Sequence, residues 1–174
     1  MIKKIIVFYE AVETDIDVET IKSRYQSWNN EKIEIRILRK KLKNSISINE
    51  IIHFSKQYYY EEKVIITNND IYFDNSIDKM KKNIMLKKRV IYCLTRKNCF
   101  EVKMANNKIW KPHNTSQDSW IFVSPIQEPS CLINLGWCRS DNKLIGNFYM
   151  NNYNLCNPAN EIHGYHYQQF HDFS

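Results

Sequence analysis

The first seventy residues alternate between two hydrophobic periods, and that alternation constrains the fold more than any other feature of the chain. Residues 2–9 (IKKIIVFY) are an apolar run suited to a buried strand. Residues 17–28 place Val18, Ile21, Tyr25 and Trp28 at helical spacing, with Asp15 or Asp17 available as the cap. Residues 32–38 (KIEIRIL) switch to strict apolar–charged alternation, as a strand with one wet face does. Ser47-Ile48-Asn49-Glu50 reads as a capping box opening a helix that carries Ile48, Ile51, Ile52, Ser55 and Tyr59 on one face. Residues 63–67 (KVIIT) then form a short buried strand that stops at Asn68-Asn69-Asp70. The order β-α-β-α-β predicts parallel strands, right-handed crossovers and helices on both faces. The expected fold is therefore α/β, an αβα sandwich around a mainly parallel mixed sheet, in one domain spanning residues 1–174. Ligands of such sheets collect beyond the carboxyl ends of the strands, where Asn68-Asn69-Asp70 would lie.

The second half is less regular. Strands are expected over residues 89–94 and 100–104, and a polar stretch, 105–117, leads into Trp120-Ile121-Phe122. Residues 141–150 have helical spacing, with Leu144, Ile145, Phe148 and Tyr149 expected inward, and a last strand region follows between Pro158 and His166.

Composition enters as a set of exclusions. Only three glycines occur, and neither GxGxxG nor a P-loop can be written from them. A bound nucleotide would need another neutraliser for its phosphates, and Mn²⁺ or Mg²⁺ would serve. The formal charge of +6 favours phosphorylated or polyanionic partners, although its two basic runs, residues 36–43 and 79–89, equally suit a solvated surface. The five cysteines form no CxxC pair and have no histidine at zinc spacing. The apolar run in MIKKIIVFYE is too short for a signal peptide or a membrane span. A reducing, cytoplasmic setting with mostly free thiols is expected.

Four constellations offer chemistry. Asp70, directly after a buried strand, can hold a divalent cation through a carboxylate oxygen, or belong to an ordinary Asn-Asn-Asp turn. Asp118, in Ser116-Gln117-Asp118-Ser119-Trp120-Ile121-Phe122, sits at the mouth of an aromatic strand or closes a surface turn. Asp141, in Leu135-Gly136-Trp137-Cys138-Arg139-Ser140-Asp141-Asn142, opens a helix, where free N–H groups and the dipole stabilise it as a plain cap or as an ionised group facing a cleft. His163 and His166 lack a third ligand for zinc, and a single histidine returning to a metal held by Asp70 is the more economical arrangement.

Taken in order, KVIITNNDIYFDNSI, VIYCLTR, SQDSWIF, LGWCRSDN, Asn157-Pro158 and His166 resemble a family of small glycosyltransferase domains, virus-associated and microbial, with a nucleotide-diphosphosugar (GT-A) fold. The resemblance covers roughly residues 45–168, with SQDSWIF its most specific piece. It implies a glycosyltransferase that moves a sugar from a nucleotide-sugar donor to a hydroxyl acceptor with Mn²⁺ or Mg²⁺. Asp70 and His166 would be the metal ligands, with Asn68 and Asn69 on the donor diphosphate. Asp141 would be the catalytic base, and Asp118 the alternative base or a ligand of the sugar. Arg96 would contact donor phosphate or sugar, and Phe8, Tyr9 and Glu10, ending the first strand, would cradle the nucleotide base. The chain departs from the family pattern at three places. Asn69 replaces a small residue, Cys138-Arg139-Ser140 stands where the pattern has Pro-Gly-Cys, and Gln168 replaces a second histidine. Arg139 is thereby left to reshape the acceptor side or to supply a cation to the diphosphate. The alternatives are a catalytically inactive sugar-nucleotide binder, a nucleotidyltransferase, for which FYEAVET lacks the glycine-rich loop, and a basic nucleic-acid-binding module, for which no sequence signature is present. Nucleic acid is not an expected partner.

Overall fold

The structure, a computed structural model, describes residues 5–12, 33–40, 46–68, 70–82, 89–99, 117–135 and 137–167. The chain divides into two compact units, Met1–Ser47 and Ile48–Ser174. In the first, β1 (Ile5–Val12) and β2 (Ile33–Lys40) pair in parallel, from Ile5 opposite Ile33 to Val12 opposite Lys40. Both are rich in β-branched residues, which suit a pleated surface. The helix expected over residues 17–28 lies outside the described residues.

The second unit begins with α1 (Ile48–Tyr58), whose Ile48, Ile51, Ile52 and Ser55 are buried at 3.6-residue spacing. Glu50 in its first turn and Lys56 in its last complement the helix dipole. Asn49 ties the helix to a later loop, donating to Pro129 O at 2.9 Å and accepting from Ile133 N at 3.3 Å.

Six strands follow: β3 (Lys63–Thr67), β4 (Ile71–Phe73), β5 (Val90–Cys99), β6 (Gln117–Val123), β7 (Asn154–Cys156) and β8 (Gly164–Tyr167). Their order is β3-β6-β5-β8-β4, with β7 beside β5. The ends of this path, β3 and β4, are consecutive in the chain, so the sheet curls into a nearly closed, barrel-like form. The long strand β5 carries two short partners along one edge, β7 on Val90–Tyr92 and β8 on Arg96–Cys99, both parallel to it. Between them, Asn157 hydrogen-bonds Thr95 twice, accepting from its N–H at 3.4 Å and donating to its Oγ1 at 3.2 Å. Met80, Leu94, Ile121, Ala159 and Ile162 form a core cluster against Ile65, Phe73, Ile77 and Tyr92. Each fully buried aliphatic side chain contributes about 1.5–3 kcal/mol.

This architecture overturns the expected GT-A αβα sandwich. Such a sandwich needs β3 parallel to the preceding strands, yet β3 pairs antiparallel with β6, Lys63 opposite Val123 through Thr67 opposite Ser119. The β5–β6 and β4–β8 pairs are antiparallel too. Among the described residues only α1 and α3 (Ser140–Met150) are helices longer than about one turn, α2 being the short Lys79–Lys82. The physical reason is plain: an apolar run such as KVIIT reports burial on both faces but not which neighbour or direction the strand takes.

Smaller differences have local causes. The strand expected over residues 89–94 continues to Cys99, whereas residues 100–104 lie outside the described residues. Leu144 and Phe148 of α3 are buried as expected, but Tyr149 is 71% exposed. At 3.6 residues per turn it stands about 140° round the helix from Leu144. No helix among the described residues is long and apolar enough to cross a membrane.

Candidate functional site

A cleft of about 370 Å³ opens in the second unit where the end of β3, the middle of β5 and the start of β6 meet the first turn of α3. Asn68, Arg96, Asp118 and Asp141 all line it, so four of the sequence-predicted residues come together from distant parts of the chain.

Asp118 is the most enclosed of them, at 5% exposed. Its Oδ1 accepts from Arg96 Nη1 at 3.0 Å and from Asn68 Nδ2 at 3.1 Å. A buried carboxylate needs such partners to remain charged. Its own backbone carbonyl accepts from Asn68 N and Thr67 Oγ1, which fastens the end of β3 to β6. Arg96, expected on the donor phosphate, is thus committed to Asp118 by one nitrogen.

A β-bulge sets the geometry. Leu94 stands opposite Ser119 and Thr95 opposite Gln117, which leaves Asp118 as the extra residue of β6. Gln117 and Trp120, three positions apart, would face opposite ways on a regular strand. The bulge re-aims them, and both line the cleft.

Asp141 sits in the first turn of α3 but is not its N-cap; that position belongs to Arg139, in the left-handed region at φ 63°. The Asp141 carboxylate accepts from Gln117 N at 3.3 Å and from Asn142 N at 2.8 Å, joining the helix start to the strand start. A carboxylate has about four acceptor positions, so capacity remains toward the cleft. Arg139 lines the cleft as well and forms no ion pair among the described residues.

Asp70 follows the cleft's Asn68 by two positions in sequence, but neither it nor His166 is among the lining residues. They are brought together by the β4–β8 register, Ile71 opposite His166, with Asp70 Oδ2 and His166 Nε2 2.8 Å apart. Adjacent ligands of an octahedral Mg²⁺, each at about 2.1 Å, stand roughly 3.0 Å apart, so the pair fits one edge of such a site. The described residues contain no group of three or more His, Cys, Asp or Glu there, so substrate oxygens and water would have to complete the coordination. His166 Nδ1 is buried with no hydrogen-bond partner among the described residues, where a ligating histidine usually has an acceptor.

The remaining expected residues fall elsewhere. Phe8, Tyr9 and Glu10 are on β1 of the first unit, opposite Arg36, Ile37 and Leu38, and β1 runs on past them to Val12. Asn69 lies outside the described residues.

Sequence reasoning missed Gln117, Trp120 and Trp137 as cleft residues. Trp120 is 2% exposed and reads as core, while Trp137 is 61% exposed. It also missed a second polar cluster. Asp74 Oδ1 accepts from Ser76 N at 2.8 Å, and its Oδ2 meets Tyr165 Oη at 3.0 Å and His163 Nδ1 at 3.1 Å. Burial raises the Asp74 pKa, but hydrogen bonds from the Ser76 side chain and backbone, His163 and Tyr165 outweigh it and bring it to about 2. The thiols are free as expected at four described positions. Cys131, Cys138 and Cys156 are exposed, and burial pushes Cys93 up to about 12. Comparison of the chain with protein-family models, curated proteins and solved structures returns no match.

Proposed function

We propose that the cleft binds a nucleotide-linked sugar and catalyses transfer of the sugar to a hydroxyl acceptor. The observation that carries this reading is the gathering of Asn68, Arg96, Asp118 and Asp141 in one cleft that Trp137 also lines. Carboxylates, amides and an aromatic side chain together suit a ligand that is both hydroxylated and apolar on one side.

Asp118, held by Arg96 and Asn68, orients the sugar by accepting from one of its hydroxyls. Asp141, fixed at the start of a helix, takes the proton of the acceptor hydroxyl. The acceptor oxygen then bonds to the anomeric carbon as the bond from that carbon to the diphosphate oxygen breaks. The electron pair leaves with the diphosphate, whose charge Arg139 meets. A divalent ion at Asp70 and His166 would neutralise further charge on that leaving group.

The test is release of nucleoside diphosphate from a panel of uridine and guanosine diphosphate sugars, with and without Mn²⁺, alongside thermal shift. Turnover lost in Asp141→Asn is the expected result. No turnover and no thermal shift with any member would overturn the reading. Binding without turnover would leave a sugar-nucleotide-binding protein.

A further inference from the structure

Three residues that line the cleft carry buried polar atoms that the described residues do not satisfy. Trp120 Nε1, Arg96 Nε and Gln117 Oε1 are all buried and have no hydrogen-bond partner among the described residues. All three residues line the cleft, and Trp120 as a whole is 2% exposed. A buried polar atom left unpaired costs about 1–3 kcal/mol, so three on residues of one cleft call for an explanation.

Their chemistry narrows the explanation. Two are N–H donors that cannot change role, and the third belongs to an amide that can present either its oxygen or its nitrogen. A hydroxyl accepts through two lone pairs and donates one proton, and so matches two donors and one acceptor. A phosphate or carboxylate oxygen can only accept, so it would match all three only with the Gln117 amide turned to present its nitrogen. Charge decides between them. The guanidinium of Arg96 is 3.0 Å from the Asp118 carboxylate, so the pair is electrically neutral and offers no surplus cation to an anion. The surplus cation is Arg139, which is exposed.

We infer that Trp120, Arg96 and Gln117 form a subsite for a neutral hydroxyl of a sugar, and that the ligand enters the cleft with its sugar inward and any phosphate toward Arg139. The inference rests on the glycosyl-transfer reading for the identity of the whole ligand, while the hydroxyl subsite stands on the three unpaired atoms. Trp120 and Gln117 are then specificity-determining residues. A sugar that lacks the matching hydroxyl leaves the same atoms unpaired and is discriminated against.

Indole N–H signals in a ¹H–¹⁵N correlation spectrum of the full chain test this directly. The chain has four tryptophans, and Trp120→Phe identifies the signal of interest. The probes are the methyl glycosides of glucose, galactose, mannose and N-acetylglucosamine, each titrated to its solubility limit, and sodium pyrophosphate. At least one glycoside should move the Trp120 signal while pyrophosphate leaves it in place. Gln117→Met, near-isosteric and without the amide, should weaken that glycoside about five- to tenfold, the scale of one neutral hydrogen bond. A Trp120 signal moved only by pyrophosphate, or by no probe, overturns the subsite. Nucleoside diphosphate release measured on the same protein separates the two readings. A sugar-dependent signal without release supports the subsite and removes the transfer reading, whereas release with an unmoved Trp120 signal removes the subsite.

Discussion

Asp118 and Asp74 are both carboxylates gripped by several donors, yet their surroundings differ in one respect. Around Asp74 the donors and acceptors close on each other: Ser76, His163 and Tyr165 supply its bonds, and His163 Nε2 lies 3.3 Å from Asn160 O. Around Asp118 the inner bonds are made, but Trp120 Nε1, Arg96 Nε and Gln117 Oε1 are left over. A closed polar cluster is a latch, here fixing β8 to the turn after β4. An open one keeps hydrogen-bonding capacity that the described residues do not use. The comparison teaches that unspent hydrogen-bonding capacity distinguishes the two better than the strength of the grip on the carboxylate.

The sharpest way to break the comparison is to neutralise one group in each region. Asp141→Asn in the cleft should lower transfer by roughly 10²–10⁴-fold while costing only about 1 kcal/mol of stability, because the amide oxygen keeps one of the two acceptors, that for Gln117 N or that for Asn142 N. Activity and thermal unfolding on the same sample check it. Asp74→Ala should do the reverse. It leaves Ser76 N, Tyr165 Oη and His163 Nδ1 without their acceptor, costs about 1–3 kcal/mol in urea unfolding, and spares ligand affinity.

Acid sharpens the same contrast. The Asp74 pKa falls from 3.8 to about 2 on folding, so its contribution to stability is complete above 3.8 and is lost as pH falls toward about 2. Unfolding free energy followed through that window should fall for the wild type, and less steeply for Asp74→Asn, which has no proton to take up.

The smallest effect concerns Arg139, which keeps φ at 63° although it is not glycine. Arg139→Gly removes the steric cost of the left-handed region but adds chain entropy to the unfolded state, so stability should rise by about 1 kcal/mol at most. Affinity for pyrophosphate, measured by calorimetry, should fall in the same variant. Unchanged affinity would move the phosphate end of the ligand away from Arg139. The resembled family pattern has glycine at this position, which is the residue the backbone would choose for itself.

How much of this was legible beforehand depends on the kind of information each feature needs. Helices α1 and α3 and strand β3 were readable because local period and turn residues define them. The nearness of Asp70 to His166 was readable only through motif order, since 96 residues separate them. The neighbours of β3 were not readable, because Val64, Ile65 and Ile66 would suit a central strand of either direction. The bulge at Asp118 was not readable either, as one extra residue leaves the strand's composition unchanged. Without the bulge, Trp120 and Gln117 cannot be assigned to one side, so their place in the cleft was hidden with it.

The double bond between Asn157 and Thr95 has a mechanical meaning. On its outer edge β5 is supported by strand backbone before Thr95 and after it, but at Thr95 itself the support is a single amide side chain. On the opposite edge, the ladder slips at the same point. Thr95 is therefore a line of weakness across the sheet, with the cleft's Arg96 the next residue along. Along this edge, a probe that pried the outer strands from β5 would meet, between two regular ladders, only the two hydrogen bonds of one asparagine.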